Sequence, residues 1–187
     1  MISFKFHDIA VRLHFSFLLL LSAFLLLEKL EQGGHFLFAV IWHELGHMLI
    51  LLLQKQQVIG LDCSAFGIRI NRVTIGTFWQ EFLLYLAGPA FNLLAALFLL
   101  PWNKVSAIFH LMLATLNLLP ILPMDGGNLA ALVLEQLLPQ TAAQRCGHLL
   151  SVLTWLLILS LGAWLLLRYW NPAMLLFALL LAFQHTT

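Results

Sequence analysis

Charged residues are scarce in this chain. Asp, Glu, Lys and Arg make up 9% of its 187 residues, whereas hydrophobic residues make up 62%. A soluble domain carries roughly 25% charged residues and about 45–50% apolar ones. The excess of apolar side chains is too large for a globular core to bury, so lipid must solvate much of the surface. The composition therefore predicts a membrane protein.

Cysteine and clustered basic charge are also lacking. The chain has two cysteines, Cys63 and Cys146, which excludes a disulfide framework, and it has no CxxC pair of the kind that binds metals. The formal net charge is +1, and the basic residues are scattered. This distribution argues against nucleic acid as a partner.

Apolar segments dominate what is present. A membrane helix needs about 20 predominantly apolar residues. The first segment begins like a signal peptide but has no convincing cleavage site, so we interpret it as a retained span. We predict an all-α polytopic membrane protein in which residues 1–187 form a single domain. Its six transmembrane helices are predicted at residues 9–27, 35–53, 79–100, 105–122, 148–167 and 172–184.

Residues 58–75 differ from these segments because they are more polar and rich in β-branched side chains. They predict a small membrane-associated β-hairpin between the second and third spans, with its turn near Ser64 and Ala65. Six spans put both termini on one side of the membrane. Six of the nine basic residues then share that side, which predicts cytoplasmic termini.

Three ionisable residues lie within five positions of the second predicted span. Such residues cost about 2.5–3.5 kcal/mol each at the centre of a membrane helix, so they indicate a function. His43 and His47 are four residues apart, which places both imidazoles on one helix face. Two nitrogen ligands at this spacing suit one zinc ion, and Glu44 can accept a proton from water there. Gly46 would let a neighbouring helix approach. The alternative is a polar contact between packed helices.

A catalytic zinc site needs a third protein ligand, and Asp125 is the best candidate. It follows Pro120 and Pro123, which should interrupt the fourth span. The alternative is that Asp125 only caps the short amphipathic helix predicted over 128–138, since Asp is a favoured N-cap residue.

Three further polar residues lie within predicted spans, namely Asn92, Asn117 and His110. Amides in membrane helices commonly join neighbouring helices by hydrogen bonds. Asn117 is the better functional candidate, because an amide beside an interrupted helix could bind a substrate strand or polarise its scissile carbonyl. A helix contact is the simpler interpretation of His110, with a role beside the metal or in proton transfer as the alternative.

These motifs together resemble those of the site-2 proteases, the M50 family of intramembrane zinc metalloproteases. The shared elements, in chain order, are His43-Glu44-Leu45-Gly46-His47, Gly88-Pro89-x-x-Asn92, and Asn117-x-x-Pro120-x-x-x-x-Asp125-Gly126. The last element and the Phe66-Gly67 segment are most similar to the stage IV sporulation branch. The resemblance implies one Zn²⁺ per chain held by His43, His47 and Asp125, with Glu44 as the catalytic acid and base. It also implies that substrate is bound by Asn117, Pro120, Phe66 and Gly67.

The implied function is an intramembrane zinc metalloendopeptidase that cleaves membrane-tethered proteins within or near the bilayer, as in sigma-factor activation during sporulation. The implied partners are a pro-sigma or anti-sigma factor and membrane inhibitor proteins. The implied location is a bacterial inner membrane or the forespore outer membrane. No nucleotide-sensing CBS domain or PDZ domain is expected in this sequence, so regulation by either is not expected.

Two other functions remain as alternatives. A transporter or an inactive pseudo-protease would show paired broken helices or a lost motif residue, and the sequence shows neither. A peptidase for soluble peptides is disfavoured by the position of the motif, which lies well inside the second predicted span.

Overall fold

The computed structural model describes residues 2–6, 9–13, 30–64, 67–73, 76–170 and 172–184. These residues form four strands, β1 (Ile2–Phe6), β2 (Ile9–Leu13), β3 (Val58–Ser64) and β4 (Gly67–Arg72). They also form six helices, α1 (Leu30–Leu53), α2 (Phe78–Leu99), α3 (Lys104–Asn117), α4 (Asp125–Leu137), α5 (Gln140–Tyr169) and α6 (Ala173–Gln184). The chain divides into two compact units, Met1–Asn117 and Leu118–Thr187.

Three of the described helices are long and apolar enough to cross a membrane, namely Gln32–Leu53, Phe78–Leu99 and Gln140–Tyr169. Their outer faces expose large apolar side chains, as at Leu97 (71%) and Leu167 (83%). Exposing this area to water would cost about 25 cal/mol per Å², whereas lipid accepts it. The predicted second, third and fifth spans therefore correspond to span-length helices. Within the described residues, α3 and α6 have 14 and 12 residues, fewer than a span needs.

The strands form one four-stranded sheet in the order β1-β2-β3-β4. β1 pairs antiparallel with β2, and β2 pairs parallel with β3. β3 and β4 form the predicted antiparallel hairpin, with Ser64 opposite Gly67. The hairpin prediction is confirmed.

Two sequence predictions are wrong at the N-terminus. The all-α fold with a two-stranded hairpin left out β1 and β2, which extend the hairpin to a four-stranded sheet, and the span over 9–27 began too early because residues 9–13 form β2. The rest of that predicted span lies outside the described residues. The sequence of β1, Ile-Ser-Phe-Lys-Phe, alternates apolar and polar residues as a half-buried strand does.

Small residues let α1 and α2 pack closely in the first unit. A Cβ on Gly46 would lie 2.8 Å from the carbonyl oxygen of Ala87 and 2.9 Å from the ring of Phe91. The indole of Trp42 donates to the carbonyl of Phe91 at 3.1 Å. Close contact at small residues, with added hydrogen bonds, is how helices associate in lipid. The approach predicted at Gly46 is therefore present.

An ion pair joins the sheet to the start of α2. Arg72 at the end of β4 donates from Nη1 and Nη2 to the two carboxylate oxygens of Glu81, each at 2.7 Å. The backbone N–H of Gly76 donates to the same carboxylate at 2.6 Å. Glu81 is 3% exposed, so these hydrogen bonds offset the cost of burying its charge.

The second unit follows the interruption that the sequence predicts after α3. The helix ends at Asn117, before the two prolines, and α4 begins at Asp125 rather than at residue 128. Gly126 packs directly against the backbone of Leu118, where a Cβ would overlap it. The buried core of this unit consists of Ile121, Ile158 and Ala178.

Candidate metal centre

His43 and His47 face one another on the buried side of α1. The two residues are 5% and 8% exposed, and their Nε2 atoms lie 3.2 Å apart. A tetrahedral zinc ion with Zn–N bonds of 2.0–2.1 Å separates two nitrogen ligands by about 3.3 Å. The two histidines therefore fit one zinc ion, and the predicted shared face is confirmed.

The ring of His47 is oriented by the backbone of α2. Its Nδ1 lies 2.8 Å from the carbonyl oxygen of Leu84. A carbonyl oxygen only accepts, so Nδ1 carries the proton and the lone pair is on Nε2. A backbone carbonyl of this kind commonly fixes the tautomer of a metal-binding histidine.

Gly88 leaves the space that both rings occupy. A Cβ at this position would lie 2.5 Å from Nε2 of His43 and would also overlap Nε2 of His47. These distances are shorter than any that real Cβ atoms adopt, so glycine is required by the approach of α2 to the histidines. The absence of a side chain at Gly88 thus leaves the space in which the two imidazole rings lie.

A buried polar chain continues from His43 through α2 to α3. Nδ2 of Asn92 lies 3.2 Å from Nδ1 of His43, and Oδ1 of Asn92 lies 2.9 Å from Nδ1 of His110. Asn92 and His110 are both 0% exposed. Asn92 and His110 thus extend the hydrogen bonding of His43, a candidate ligand, away from the candidate metal position.

The remaining predicted site residues lie as follows. Glu44 is half-buried and follows His43 on α1. Asp125, in the second unit, is the half-buried first residue of α4, and the N-cap is Met124, so the interpretation of Asp125 as an N-cap is wrong. The carbonyl of Pro120, in the same unit, accepts from the hydroxyl of Ser151 at 3.2 Å.

Two predicted substrate-binding residues of the first unit, Asn117 and Gly67, lie on other elements than α1, which carries the two histidines. The amide of Asn117 donates to the carbonyl of Leu113 at 3.0 Å, within its own helix. Gly67 is the first residue of β4, and Phe66 lies outside the described residues. No residue in this group is tested as a substrate contact, so these assignments stay predictions.

Sequence reasoning missed the roles of Leu84, Gly88 and Asn92. These residues are spaced at i, i+4 and i+8 on α2, and all three contact the histidines of α1. Residues with this spacing share one helix face. The spacing of the glycine and the asparagine was a usable signal, whereas a contact through the Leu84 carbonyl leaves no trace in the side-chain pattern.

Known proteins resemble this chain in sequence and in fold. No protein-family model matches the sequence. The chain is 32% identical over 127 residues to a protein of Synechocystis sp. (strain ATCC 27184 / PCC 6803 / Kazusa) that carries the provisional name of a zinc metalloprotease. That match covers 60% of this chain and 33% of the relative. The chain is 28% identical over 176 residues to stage IV sporulation protein FB of Bacillus subtilis (strain 168), covering 87% of this chain and 60% of the relative.

A solved structure shares the fold. The site-2 protease from Methanocaldococcus jannaschii matches with a TM-score of 0.72 and 22% identity, covering 97% of this chain and 92% of that one. The resemblance to the site-2 protease family is confirmed. The Synechocystis relative carries the name of a zinc metalloprotease, and the solved structure shows the shared fold. The chain spans one third of the length of the Synechocystis relative and 60% of the Bacillus one, so its activity as a whole protein is a proposal.

Proposed function

We propose that the chain is an intramembrane zinc metalloendopeptidase that cleaves membrane-tethered proteins within or near the bilayer. The observation that carries this proposal is the pair of imidazole Nε2 atoms 3.2 Å apart on an apolar, span-length helix. His43 is eleven residues from one end of Gln32–Leu53 and ten from the other, so the pair lies at the middle of the span. A metal site at this depth favours a substrate that is itself in the membrane.

Asp125 is proposed as the third ligand, completing one Zn²⁺ site per chain with His43 and His47. Each residue offers one donor atom of a kind that zinc accepts, two imidazole nitrogens and one carboxylate oxygen. Three protein ligands leave a position open, as catalytic zinc sites require. When bound, the ion supplies Lewis-acid activation of water and of the scissile carbonyl.

Glu44 is proposed as the residue that moves the proton. It follows a ligand directly on α1, so its carboxylate projects beside the two imidazoles without being on their face. In this role it accepts a proton from the attacking water and passes it to the leaving amine. The half-buried position of Glu44 is compatible with access to water.

The hairpin is proposed as the substrate-binding element. Among the described strands, β4 lies at one edge of the sheet, so its outer backbone groups could pair with an extended substrate. Such pairing would hold unwound the segment to be cut, since a peptide bond inside a helix is shielded by that helix. Phe66 and Gly67, with Asn117 and Pro120, are proposed to contact the substrate.

Six membrane crossings with both termini in the cytoplasm are proposed for the topology. β2 and β3 pair in one sheet, so the chain between them must cross the membrane an even number of times. Helix α1 is one crossing of that interval, and the first predicted span would supply the second. The distribution of basic residues favours the cytoplasmic side for the sheet.

Regulated proteolysis in a bacterial membrane is the proposed biological setting. The Bacillus relative is named as a stage IV sporulation protein, which favours sporulation. A pro-sigma factor is one proposed substrate. An anti-sigma factor is the other proposed substrate, and membrane inhibitor proteins are proposed partners. The bacterial inner membrane or the forespore outer membrane is the proposed location.

Replacement of Glu44 by Gln tests the proposed function. The amide cannot accept the proton, so processing of membrane-tethered proteins should be lost while bound zinc stays near one per chain. New N-termini of membrane proteins are compared by mass spectrometry between cells that make the wild-type chain and cells that make Glu44→Gln. Zinc content is measured on both purified proteins.

Leu45→Ala is the matched control, because Leu45 is 48% exposed on the same turn of α1 and is outside the proposed site. It should process the same proteins as the wild-type chain. Unchanged processing by Glu44→Gln would overturn the assignment of the base. A wild-type chain that binds no zinc would overturn the proposed function itself.

A further inference from the structure

Asn92 on α2 connects the ring of His43 on α1 with the ring of His110 on α3. The two contacts are 3.2 Å and 2.9 Å long and use opposite ends of the amide. Asn92 and His110 are fully buried, and a buried amide costs free energy unless it is hydrogen-bonded. Three helices of the first unit therefore meet in one hydrogen-bonded chain that ends at a candidate ligand.

The amide can serve either tautomer of His43. In the orientation found, Nδ2 of Asn92 donates to Nδ1 of His43, and a neutral ring then carries its proton on Nε2. A histidine that binds metal through Nε2 must carry that proton on Nδ1, which needs an acceptor. A half-turn about the Cβ–Cγ bond of Asn92 exchanges its NH₂ group for its oxygen and supplies that acceptor.

His110 accommodates the same exchange at the other end of the amide. Its Nδ1–H donates to Oδ1 of Asn92 in the orientation found. After the half-turn Nδ1 accepts from the NH₂ group, and the proton of the neutral His110 ring is carried on Nε2 instead. Within the described part of the chain, Nε2 of His110 has no hydrogen-bond partner, so Asn92 provides its polar contact. Phe38 packs edge-on against the ring with centroids 5.3 Å apart, which fixes the ring plane.

We propose that Asn92, supported by His110, is a positioning residue that selects the metal-binding tautomer of His43 by reversing its amide when zinc binds. Both rings stay neutral and no net proton is gained or lost: His43 gives up the proton on Nε2 and takes one on Nδ1, while His110 gives up the proton on Nδ1 and takes one on Nε2. Both residues act through His43. This inference rests on the proposed zinc site, and it concerns the strength of metal binding rather than the cleavage step.

Two replacements of Asn92 separate positioning from packing. Asn92→Leu keeps the branched shape of the side chain but removes the acceptor, and loss of such an outer partner typically weakens metal affinity by about 10- to 100-fold. Asn92→Asp keeps an acceptor for Nδ1–H of His43, as in carboxylate–histidine–zinc arrangements, and should retain the wild-type affinity or exceed it. Zinc affinity is measured on purified full-length protein by competition with a chromogenic chelator. The visible spectrum of the Co²⁺-loaded protein reports the ligand geometry and should change for Asn92→Leu alone.

A double-variant cycle tests the support from His110. His110→Phe removes the hydrogen bond and preserves an aromatic ring against Phe38, so zinc affinity should fall in the wild-type background. In the Asn92→Leu background the same change should have no effect on affinity, because the amide through which His110 acts is absent. Ser106→Ala is the control, since Ser106 is buried on α3 (3% exposed) and its backbone N–H, which the substitution keeps, donates to Oδ1 of Asn103 at 3.0 Å.

The outcomes distinguish this inference from the proposed function. Wild-type zinc affinity in Asn92→Leu would overturn the inference and leave the zinc site standing. If zinc affinity fell equally in Asn92→Leu and Asn92→Asp, and the melting temperatures in EDTA fell in parallel, the effect would be one of packing alone. That result would overturn the inference as well. A wild-type chain that binds neither Zn²⁺ nor Co²⁺ would overturn the proposed function first.

Discussion

Gly88 on α2 lies so close to His43 on α1 that a Cβ at this position would stand 2.5 Å from Nε2 of the ring. The same Cβ would overlap the ring of His47. The missing side chain is therefore what permits both imidazoles to point at one position while the helices stay packed. Geometry at the candidate metal centre and helix packing depend on the same residue.

Replacing Gly88 by Ala should impair metal binding more than it impairs folding. The added methyl must displace the rings or push α2 away, and inserting a methyl into a packed site costs about 1–3 kcal/mol. Displaced rings bind zinc more weakly, and we expect affinity to fall by at least about tenfold, as for other losses of ligand orientation. Chelator competition measures the affinity, and thermal unfolding in EDTA measures the stability.

Gly46→Ala is the matched control for this prediction. Gly46 lies in the same contact between α1 and α2, but its Cβ would meet Ala87 and Phe91 rather than an imidazole. It should lower stability by a similar amount and reduce zinc affinity less. Equal loss of affinity in the two variants would mean that helix separation, rather than contact with the rings, controls the site.

The two histidines and the interruption after α3 could be predicted from sequence because they depend on short-range rules. A four-residue spacing fixes one helix face, and prolines disfavour a helix interior because each removes a backbone donor. The contact of Asn92 with His43 could not be derived in this way, since it requires the orientation of α2 against α1. Asn117 lies next to the proline motif and looked the better candidate, yet its amide bonds to its own helix.

The N-terminal strands were missed for a different physical reason. β2 (Ile9–Leu13) leads directly into an apolar sequence, so an average over about 20 residues describes the strand and that sequence as one segment. Its pairing with β3 is between residues about 50 positions apart, as with Ala10 and Gly60. Such a pairing depends on the fold of the intervening chain and leaves no local signal.

Asp125→Ala should remove most of the zinc affinity. A two-histidine site lacks the third ligand that holds catalytic zinc, and we expect a loss greater than about 100-fold. Asn128→Ala is the control in the same helix, because the amide of Asn128 donates to the carbonyl of Pro123 and belongs to no ligand set. Isothermal titration of each metal-depleted protein with Zn²⁺ measures the effect. Full zinc occupancy in Asp125→Ala would exclude it as a ligand.

Removal of the metal should lower both activity and thermal stability. An ion that binds only the folded chain stabilises it by about 2.7 kcal/mol at a free concentration 100 times Kd. We therefore expect 1,10-phenanthroline to lower the melting temperature of the wild-type chain and added Zn²⁺ to restore it. Gly88→Ala should show a smaller shift at the same free zinc. If zinc did not change the melting temperature of the wild-type chain, the result would contradict the proposed zinc site.

The pair of Arg72 and Glu81 should contribute more to stability than the pair of Arg12 and Asp62. Their side chains are 14% and 4% exposed, and both nitrogen–oxygen distances are 2.7 Å. The hydrogen bonds that the Arg72 guanidinium donates to the Glu81 carboxylate raise the pKa of Arg72 above its ordinary value. Arg72→Met leaves a buried carboxylate without its cation, which typically costs about 3–5 kcal/mol. Urea unfolding in detergent measures the loss, and hydrogen exchange at the β4 amides locates it.

Arg12 and Asp62 provide the comparison within the same sheet. Their closest nitrogen–oxygen distance is 3.7 Å, and their side chains are 50% and 21% exposed. Water and salt screen such a pair, so Arg12→Met should cost less than about 1 kcal/mol. Adding Glu81→Leu to Arg72→Met should recover part of the stability, because it removes the buried carboxylate that lost its cation. Equal losses for Arg12→Met and Arg72→Met would show that the bidentate pair does not anchor the sheet to α2.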